Sequence, residues 1–377
     1  MSETPIETAL ASLLKKQLAQ EPISVAAFID ACLHHPEHGY YRNQTAIGAK
    51  ADFITAPEIS QVFGELIGLW AAITWKAMGS PDTVNLVEIG PGRGTMMKDA
   101  LRALKVVPAF RSSVQVHLIE ANPILCDLQA QTLDDETVPL TWHRDLKTAL
   151  GPGGAIPAGA TILIANEFLD TFPVEQYVYQ DSKWWTRFVA LEDTALSFQP
   201  STKAASLKLP AALAGQQHDN DVFEISPGIA TFASETLAPR AVAAPLAALF
   251  IDYGHIKSGF GETLQAVKDH KPVSPFHAPG ESDLTAQVDF EAFGQHCLGA
   301  EADGIRPLEV DGPVTQAEFL NALGINERAF RLMAANPELA GRLETGVSRL
   351  MAPIGMGGRF KVCAVRSKKL PPLIGIA

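Results

Sequence analysis

One stretch limits what this chain can become: the apolar run Val84 to Ile89, carrying Glu88, opens directly into Gly90-Pro91-Gly92-Arg93-Gly94-Thr95. Three glycines at alternate positions let a backbone turn tightly and approach a ligand closely, because no side chain stands in the way. A helical pattern follows from Thr95 to Leu104, so the unit reads as strand, turn and helix. Further apolar runs at Val114 to Ile119, Leu140 to Trp142, Thr161 to Ala165 and Leu249 to Tyr253 read as strands, and Pro123 to Leu133 reads as a second helix. Strands alternating with helices predict an α/β fold, a doubly wound, Rossmann-like sheet.

The flanks break this rhythm. Pro5 to Cys32 reads as two short helices with Ser24 as a cap, Pro36 to Pro57 as a loop, and Glu58 to Met78 as one long amphipathic helix. A hairpin is expected from Val174 to Val189, and the polar, Ala-rich stretch from Ser197 to Asp221 reads as an insertion. After Tyr253 the chain is rich in Gly and Pro, then helical around Phe290 to Leu298 and Gln316 to Met351. Phe360 to Val365 reads as a last strand returning to the sheet edge. The organisation expected is an N-terminal helical segment with a lid loop (1–79), a Rossmann-like core (80–255, insertion about 190–225), a helical cap (256–355) and the terminal strand (356–377).

Thirty Lys and Arg stand against 42 Asp and Glu in 377 residues, a net charge of -12 that opposes polyanions and tolerates a cationic substrate. Nucleic acid is not expected as a partner. Cys32, Cys126, Cys297 and Cys363 lie far apart, so neither a zinc site, nor any other metal, nor a disulfide framework is expected. The start has no basic stretch leading into an apolar one, and no run approaches the roughly 20 apolar residues of a membrane span. A cytoplasmic protein is the expectation.

Two cofactors compete for the glycine turn. A dinucleotide fingerprint asks for Gly or Ala where Thr95 stands, and for an acidic partner about 20 residues on, whereas Glu120 lies further away. Glu88 favours the second, since it would repel a phosphate but attract the ammonium of a methionine moiety. S-adenosylmethionine is the expected cofactor. Glu88, Gly90, Pro91, Gly92, Arg93, Gly94 and Thr95 form its turn, and Glu120 is placed to accept from both ribose hydroxyls. Ala121 and Asn122 would line the adenine. Asp145, with Leu146 beside it, would accept from the adenine amino group, although an Asp there is as readily a simple helix cap.

Asn166 closes the fourth strand and completes the cofactor side. Glu167, with Asp170 or Glu175, could hold a protonated guanidinium by paired hydrogen bonds and take up its departing proton. Phe168 lies in the same stretch, and packing in the core competes with a role at the site. Before them, Thr55, Glu58, Ser60 and Gln61 would form a lid over the cofactor, or merely cap a helix well.

With the His38-Gly39-Tyr40-Tyr41 loop, Thr55-Ala56-Pro57-Glu58-Ile59-Ser60-Gln61, Ile251-Asp252-Tyr253-Gly254, Pro279-Gly280-Glu281-x-Asp283-Leu284-Thr285 and Val288-Asp289-Phe290, the turn and the Asn166 to Asp170 stretch resemble the MidA-like family. Mitochondrial members of that family assist assembly of respiratory complex I. The resemblance spans most of the chain. It implies a class I methyltransferase fold with a helical addition, S-adenosylmethionine as donor, and symmetric dimethylation of an arginine in a complex I core subunit. Ala51 stands where the family pattern has glycine, and Gln287 where it has histidine. Lacking a presequence, the chain resembles a bacterial relative; eukaryotic members act in the mitochondrial matrix. A cofactor-binding assembly chaperone and a small-molecule methyltransferase are the competing functions, and a homodimer is compatible with either.

Overall fold

The computed structural model describes residues 5–43 and 55–376. Its centre is an eight-stranded sheet, whose strands are labelled here β1 (Val84–Ile89), β2 (Val114–Ile119), β3 (Leu140–His143), β4 (Thr161–Asn166), β5 (Leu246–His255), β6 (Leu308–Thr315) and β7 (Phe360–Ser367). They run in the order β3-β2-β1-β4-β5-β7-β6, and the short strand Val288–Asp289 pairs with the end of β5 off this path. All neighbours on the path are parallel except β7, which is antiparallel to both β5 and β6. The doubly wound sheet expected from the alternation is therefore present. Its strand order reverses between β1 and β4, and open sheets of this kind bind ligands at the carboxyl edge of such a switch point.

Both faces of β1 are covered, as its continuous apolar pattern requires. Val84 and Leu86 point into one core cluster with Phe63, Trp70 and Phe110, while Val87 and Ile89 point into another with Phe232, Phe250 and Phe293. Each large side chain removed from water here contributes about 1.5–3 kcal/mol. Glu88 shares the parity of Val84 and Leu86, so the strand carries a carboxylate inward at its last turn before the glycines.

Several elements differ from the expectation. The predicted helix from Glu58 to Met78 is two, Ala56–Ile59 and Gln61–Ala77, because Ser60 is extended and its hydroxyl accepts from the Val62 N–H. The insertion from Ser197 to Asp221 is in part a strand. Ala195–Ala204 forms a strand against Lys183–Glu192, where Phe198 faces Val189 and Leu196 faces Leu191. With Glu175–Gln180, Val222–Ile225 and Ile23–Ser24 these make a five-stranded antiparallel sheet.

Residues 256–355 are not purely helical: they hold a three-stranded sheet (Gln265–Lys268, Lys271–Val273, Asp283–Thr285) and β6. Gln316 to Met351 divides into Gln316–Ala322, Ile325–Ala335 and Ala340–Met351, with Gly324 left-handed at φ 81° between the first two and Pro337 before the third. Among the described residues no helix is long and apolar enough to cross a membrane.

Candidate active site

Three buried acceptors at or just past the carboxyl ends of the adjacent strands β1 and β4 lack a donor: Glu88 Oε2, Asn166 Oδ1 and, in the loop after β4, Asp170 Oδ1. Glu88 is 2% exposed, and burial alone pushes its carboxyl up to about 8. A cation placed against it would restore the ionised form and satisfy the orphan oxygen. Immediately beyond, Gly90 and Gly92 are left-handed at φ 63° and 54°, and a Cβ added to Gly90 would meet open space. Gly94, also left-handed, heads the helix Thr95–Ala103 and donates its N–H to the Pro91 carbonyl at 2.8 Å. Arg93 is exposed and Pro91 is buried.

At the end of β2, Glu120 is 9% exposed and accepts from the Asn122 N–H at 2.8 Å, while burial raises its pKa. Gln129 joins this carboxylate to the turn: its amide donates to Gly92 O at 2.8 Å and to Glu120 Oε2 at 3.3 Å, and accepts from Trp142 Nε1 at 3.0 Å. Gln129 is absent from the sequence expectation, although a polar residue on the buried stripe with Leu125 and Cys126 is a usable signal. Asn122 caps the helix Pro123–Thr132 and donates to the Tyr41 carbonyl at 2.9 Å. Ala121 is exposed, as an adenine platform requires, and Leu146 packs half-buried against the core. One oxygen of Asp145 is spent on a helix cap, accepting from Thr148 N–H at 2.8 Å. An unpartnered carboxylate, open space over a glycine and a second carboxylate one strand away fit the aminoacyl and ribose ends of S-adenosylmethionine.

The acidic loop after β4 is held from a distance. Glu167 is left-handed at φ 55°, a strained conformation for a residue with a side chain. Behind it, Asp252, where β5 runs past the end of β4, receives three backbone N–H groups on one oxygen, from Phe168 (3.0 Å), Leu169 (2.8 Å) and Asp170 (3.2 Å). Asp170 Oδ2 accepts from the Thr285 hydroxyl at 3.1 Å, and Tyr253 OH is hydrogen-bonded to Thr285. Burial and then the charge of Asp170 push Glu167 up to about 7. Tyr41 donates to Asp283 at 3.3 Å, so the His38 to Tyr41 loop touches the cofactor side through Asn122 and the acidic side through Asp283. Asp252, Tyr253 and Thr285 stand in the family motifs without an expected role; their contacts supply one.

Other expected residues lie elsewhere or are occupied. Glu175 begins the antiparallel sheet beside Ser24 and Tyr177, with its Oε2 buried and without a hydrogen-bond partner, and the carboxylate whose charge acts on Glu167 is Asp170. Phe168 packs edge to face on Phe172 and Phe232, with centroids 5.1 and 5.6 Å away. Ser60 is 6% exposed and its hydroxyl caps the helix that Gln61 begins. Thr55 precedes Ala56–Ile59 without capping it, and Glu58 accepts a hydrogen bond from Thr95 beside the glycine turn. Ala51 to Ile54 lie outside the described residues. A cavity of about 640 Å³ does not coincide with the glycine turn: it lies behind the acidic loop, walled by Leu169, Phe172 and Gln287 among others.

A family of S-adenosyl-L-methionine-dependent methyltransferases matches over residues 66–308. The chain is 33% identical to the human mitochondrial protein arginine methyltransferase NDUFAF7, across 97% of this chain and 84% of the relative. It is 34% identical to the homologue from Drosophila melanogaster, across 94% and 83%. A solved structure from Burkholderia thailandensis, bound to S-adenosyl-homocysteine, is similar with a TM-score of 0.81 and 25% identity, covering 99% of this chain and 97% of the other.

Proposed function

Because this chain belongs to the family of S-adenosyl-L-methionine-dependent methyltransferases, we propose that its acceptor is an arginine side chain of a protein, in a core subunit of respiratory complex I, and that dimethylation is symmetric. That the enzyme uses S-adenosylmethionine follows from the family. The observation that carries the arginine is the set of donor-less acceptors around an acidic loop: Asn166 Oδ1 and Asp170 Oδ1 beside Glu167, with Asp252 behind them. A guanidinium offers five N–H donors and a fixed positive charge, which answers both the missing donors and the crowding of like charge. The names of the relatives, protein arginine methyltransferase, support the same reading, and the motif resemblance supports the complex I subunit.

In this reading Glu88 holds the ammonium of the cofactor, the turn Gly90 to Thr95 lies against its aminoacyl part, and Glu120 accepts from the ribose, with Ala121, Asn122 and Asp145 around the adenine. S-adenosylmethionine, when bound, supplies a methyl group on a positively charged sulfur. Glu167 and Asp170 hold the guanidinium so that one nitrogen lies in line with that methyl. As the nitrogen gains the methyl it loses a proton, which Glu167 accepts, and S-adenosylhomocysteine remains. Asp252 fixes the loop through its three N–H contacts, and Tyr253 with Thr285 keeps Asp170 oriented.

The test is complex I isolated from cells lacking this chain, incubated with labelled S-adenosylmethionine and the purified protein, and read by mass spectrometry. Label on arginine, lost with Glu167→Gln while cofactor binding persists, supports the proposal. Label on other residues only, or none, overturns it.

A further inference from the structure

Glu175 is absent from the charges that act on Glu167, and its own carboxylate is unanswered where it stands. Its Oε2 is buried without a hydrogen-bond partner. Burial raises its pKa, the Ser24 hydroxyl offsets part of that, and no cation acts on it among the described residues. A carboxylate with a buried, unpaired oxygen favours a cation placed against it.

The surroundings suit a basic side chain. Register partners in an antiparallel sheet share a face. Tyr177 stands opposite Phe223 and Thr186, Glu175 opposite Ile225, and Ser24 opposite Phe188. Alternation along Lys183–Glu192 puts Phe188 on the face of Thr186, so Glu175 shares its face with Tyr177 and Phe188, both partly exposed. Burial and then the charge of Glu175 raise the pKa of the Tyr177 phenol, which makes the two side chains neighbours. Aromatic faces attract Lys and Arg cations that come within about 6 Å.

The helix Val25–His34 measures the distance from here to the acidic loop. At one end Ser24 reaches Glu175, and at the other His34 Nε2 lies 3.3 Å from the carbonyl of Thr171, which follows Asp170. Its 10 residues span about 15 Å, which an extended chain covers in roughly four or five residues. Asp170, Thr171, Phe172, Pro173 and Glu175 are all partly exposed, so the stretch between the two points runs along the surface.

We propose that Glu175, with Tyr177 and Phe188, is a specificity subsite that holds a second basic side chain of the acceptor protein, roughly four or five residues from the target arginine. The proposal rests on the protein-arginine reading. Glu167 and Asp170 receive the arginine that is methylated, and Glu175 receives a lysine or arginine that is not. Charge selects this occupant: a net charge of -12 favours basic acceptor segments, and a carboxylate beside aromatic rings prefers their cations to neutral polar side chains.

The experiment uses the full chain, labelled S-adenosylmethionine and an arrayed set of peptides with a single arginine, in which lysine, alanine or glutamate stands at successive positions on either side of it. Wild-type protein should give peptides with lysine roughly four or five residues away a KM at least roughly tenfold below their alanine counterparts, with kcat unchanged. Glu175→Gln should abolish that advantage, with KM for the alanine peptides and S-adenosylhomocysteine binding unchanged. Glu175→Lys should reverse it, so that glutamate is preferred at the same position, a change that a merely structural role would not produce. No advantage in wild type, an advantage confined to the arginine's immediate neighbours, or one surviving both folded variants overturns the subsite and leaves the arginine reading standing. If wild type methylates no arginine peptide while binding S-adenosylhomocysteine, the arginine reading falls and the subsite falls with it.

Discussion

On the β1 side of the switch point the carboxylates stand apart; on the β4 side they crowd. Glu88 and Glu120 end adjacent strands, and each has its own surroundings, one an apolar pocket and an open glycine turn, the other the N–H of Asn122 and the amide of Gln129. Across the switch point burial, and then the charge of Asp170, raises the pKa of both Glu167 and Asp252, and the loop that carries Glu167 and Asp170 is fastened by side chains from β5 and from Asp283–Thr285. A separated carboxylate can recognise one positive group on a ligand of fixed shape. Crowded carboxylates instead form a site that is most comfortable when a delocalised cation lies among them. On the function proposed above, the two halves divide the work: one would sort cofactors by shape, the other acceptors by charge.

The most severe way to break this comparison is to fill the turn. Gly90→Val adds a β-branched side chain at φ 63°, at a cost on the order of 1–3 kcal/mol, and blocks the open space above it. Calorimetry should show S-adenosylhomocysteine affinity falling at least about a hundredfold. Retained affinity would move the cofactor away from the turn.

On the crowded side, Asp252→Asn keeps the shape but offers the three N–H groups an amide oxygen and sets its NH2 against the Tyr253 N–H that the other carboxylate oxygen accepts. Methyl transfer should drop by roughly tenfold to a hundredfold while cofactor affinity holds, a loss of about 1.4–2.8 kcal/mol in the transition state. An equal loss of cofactor binding would show that the halves are not separable.

A gentler probe is pH. In the proposed mechanism Glu167 must be ionised to receive a proton, and burial with the charge of Asp170 pushes its carboxyl up to about 7, so kcat/KM should rise through that pH and then level off. Glu167→Gln should remove the rise along with most of the activity.

The smallest effect concerns stability. Glu88 has its folded pKa near 8 against an ordinary 4.5, so its protonated form favours folding below about 4.5, and that contribution is lost as pH rises toward 8. Melting of the cofactor-free protein should fall across this window, by on the order of 5 °C, and Glu88→Gln should flatten the fall. A melting temperature independent of pH in both proteins would remove the case for a destabilised Glu88.

The same division governs how much of the molecule is legible in its sequence. Glu88, the glycines and Glu120 are legible because strand, turn and candidate site are contiguous there, and the strand limits of β1 and β2 agree with their apolar runs. Asp252 carries the same signal as Glu88, an acidic residue closing an apolar run, yet its role is visible only once β5 lies beside β4. Thr285 and Gln129 act through contacts that no local pattern encodes. The break at Ser60 is hidden because the apolar spacing continues on both sides of it, and only the packing of Gly346 against Ile59 O and the Ser60 side chain shows why the chain bends there. β6 is hidden because a bulge between Asp311 and Val314 interrupts its alternation.

The position of β7 has a consequence for synthesis on the ribosome. Val362, Cys363, Ala364 and Val365 are fully buried between β5 and β6, so until they emerge from the exit tunnel both of those strands present an unpaired apolar edge. The glycine turn and its carboxylates are translated long before the sheet that supports them can close. A nascent chain of this design spends its translation as an open sheet, and the last strand acts as the latch whose arrival ends its exposure to chaperones and aggregation.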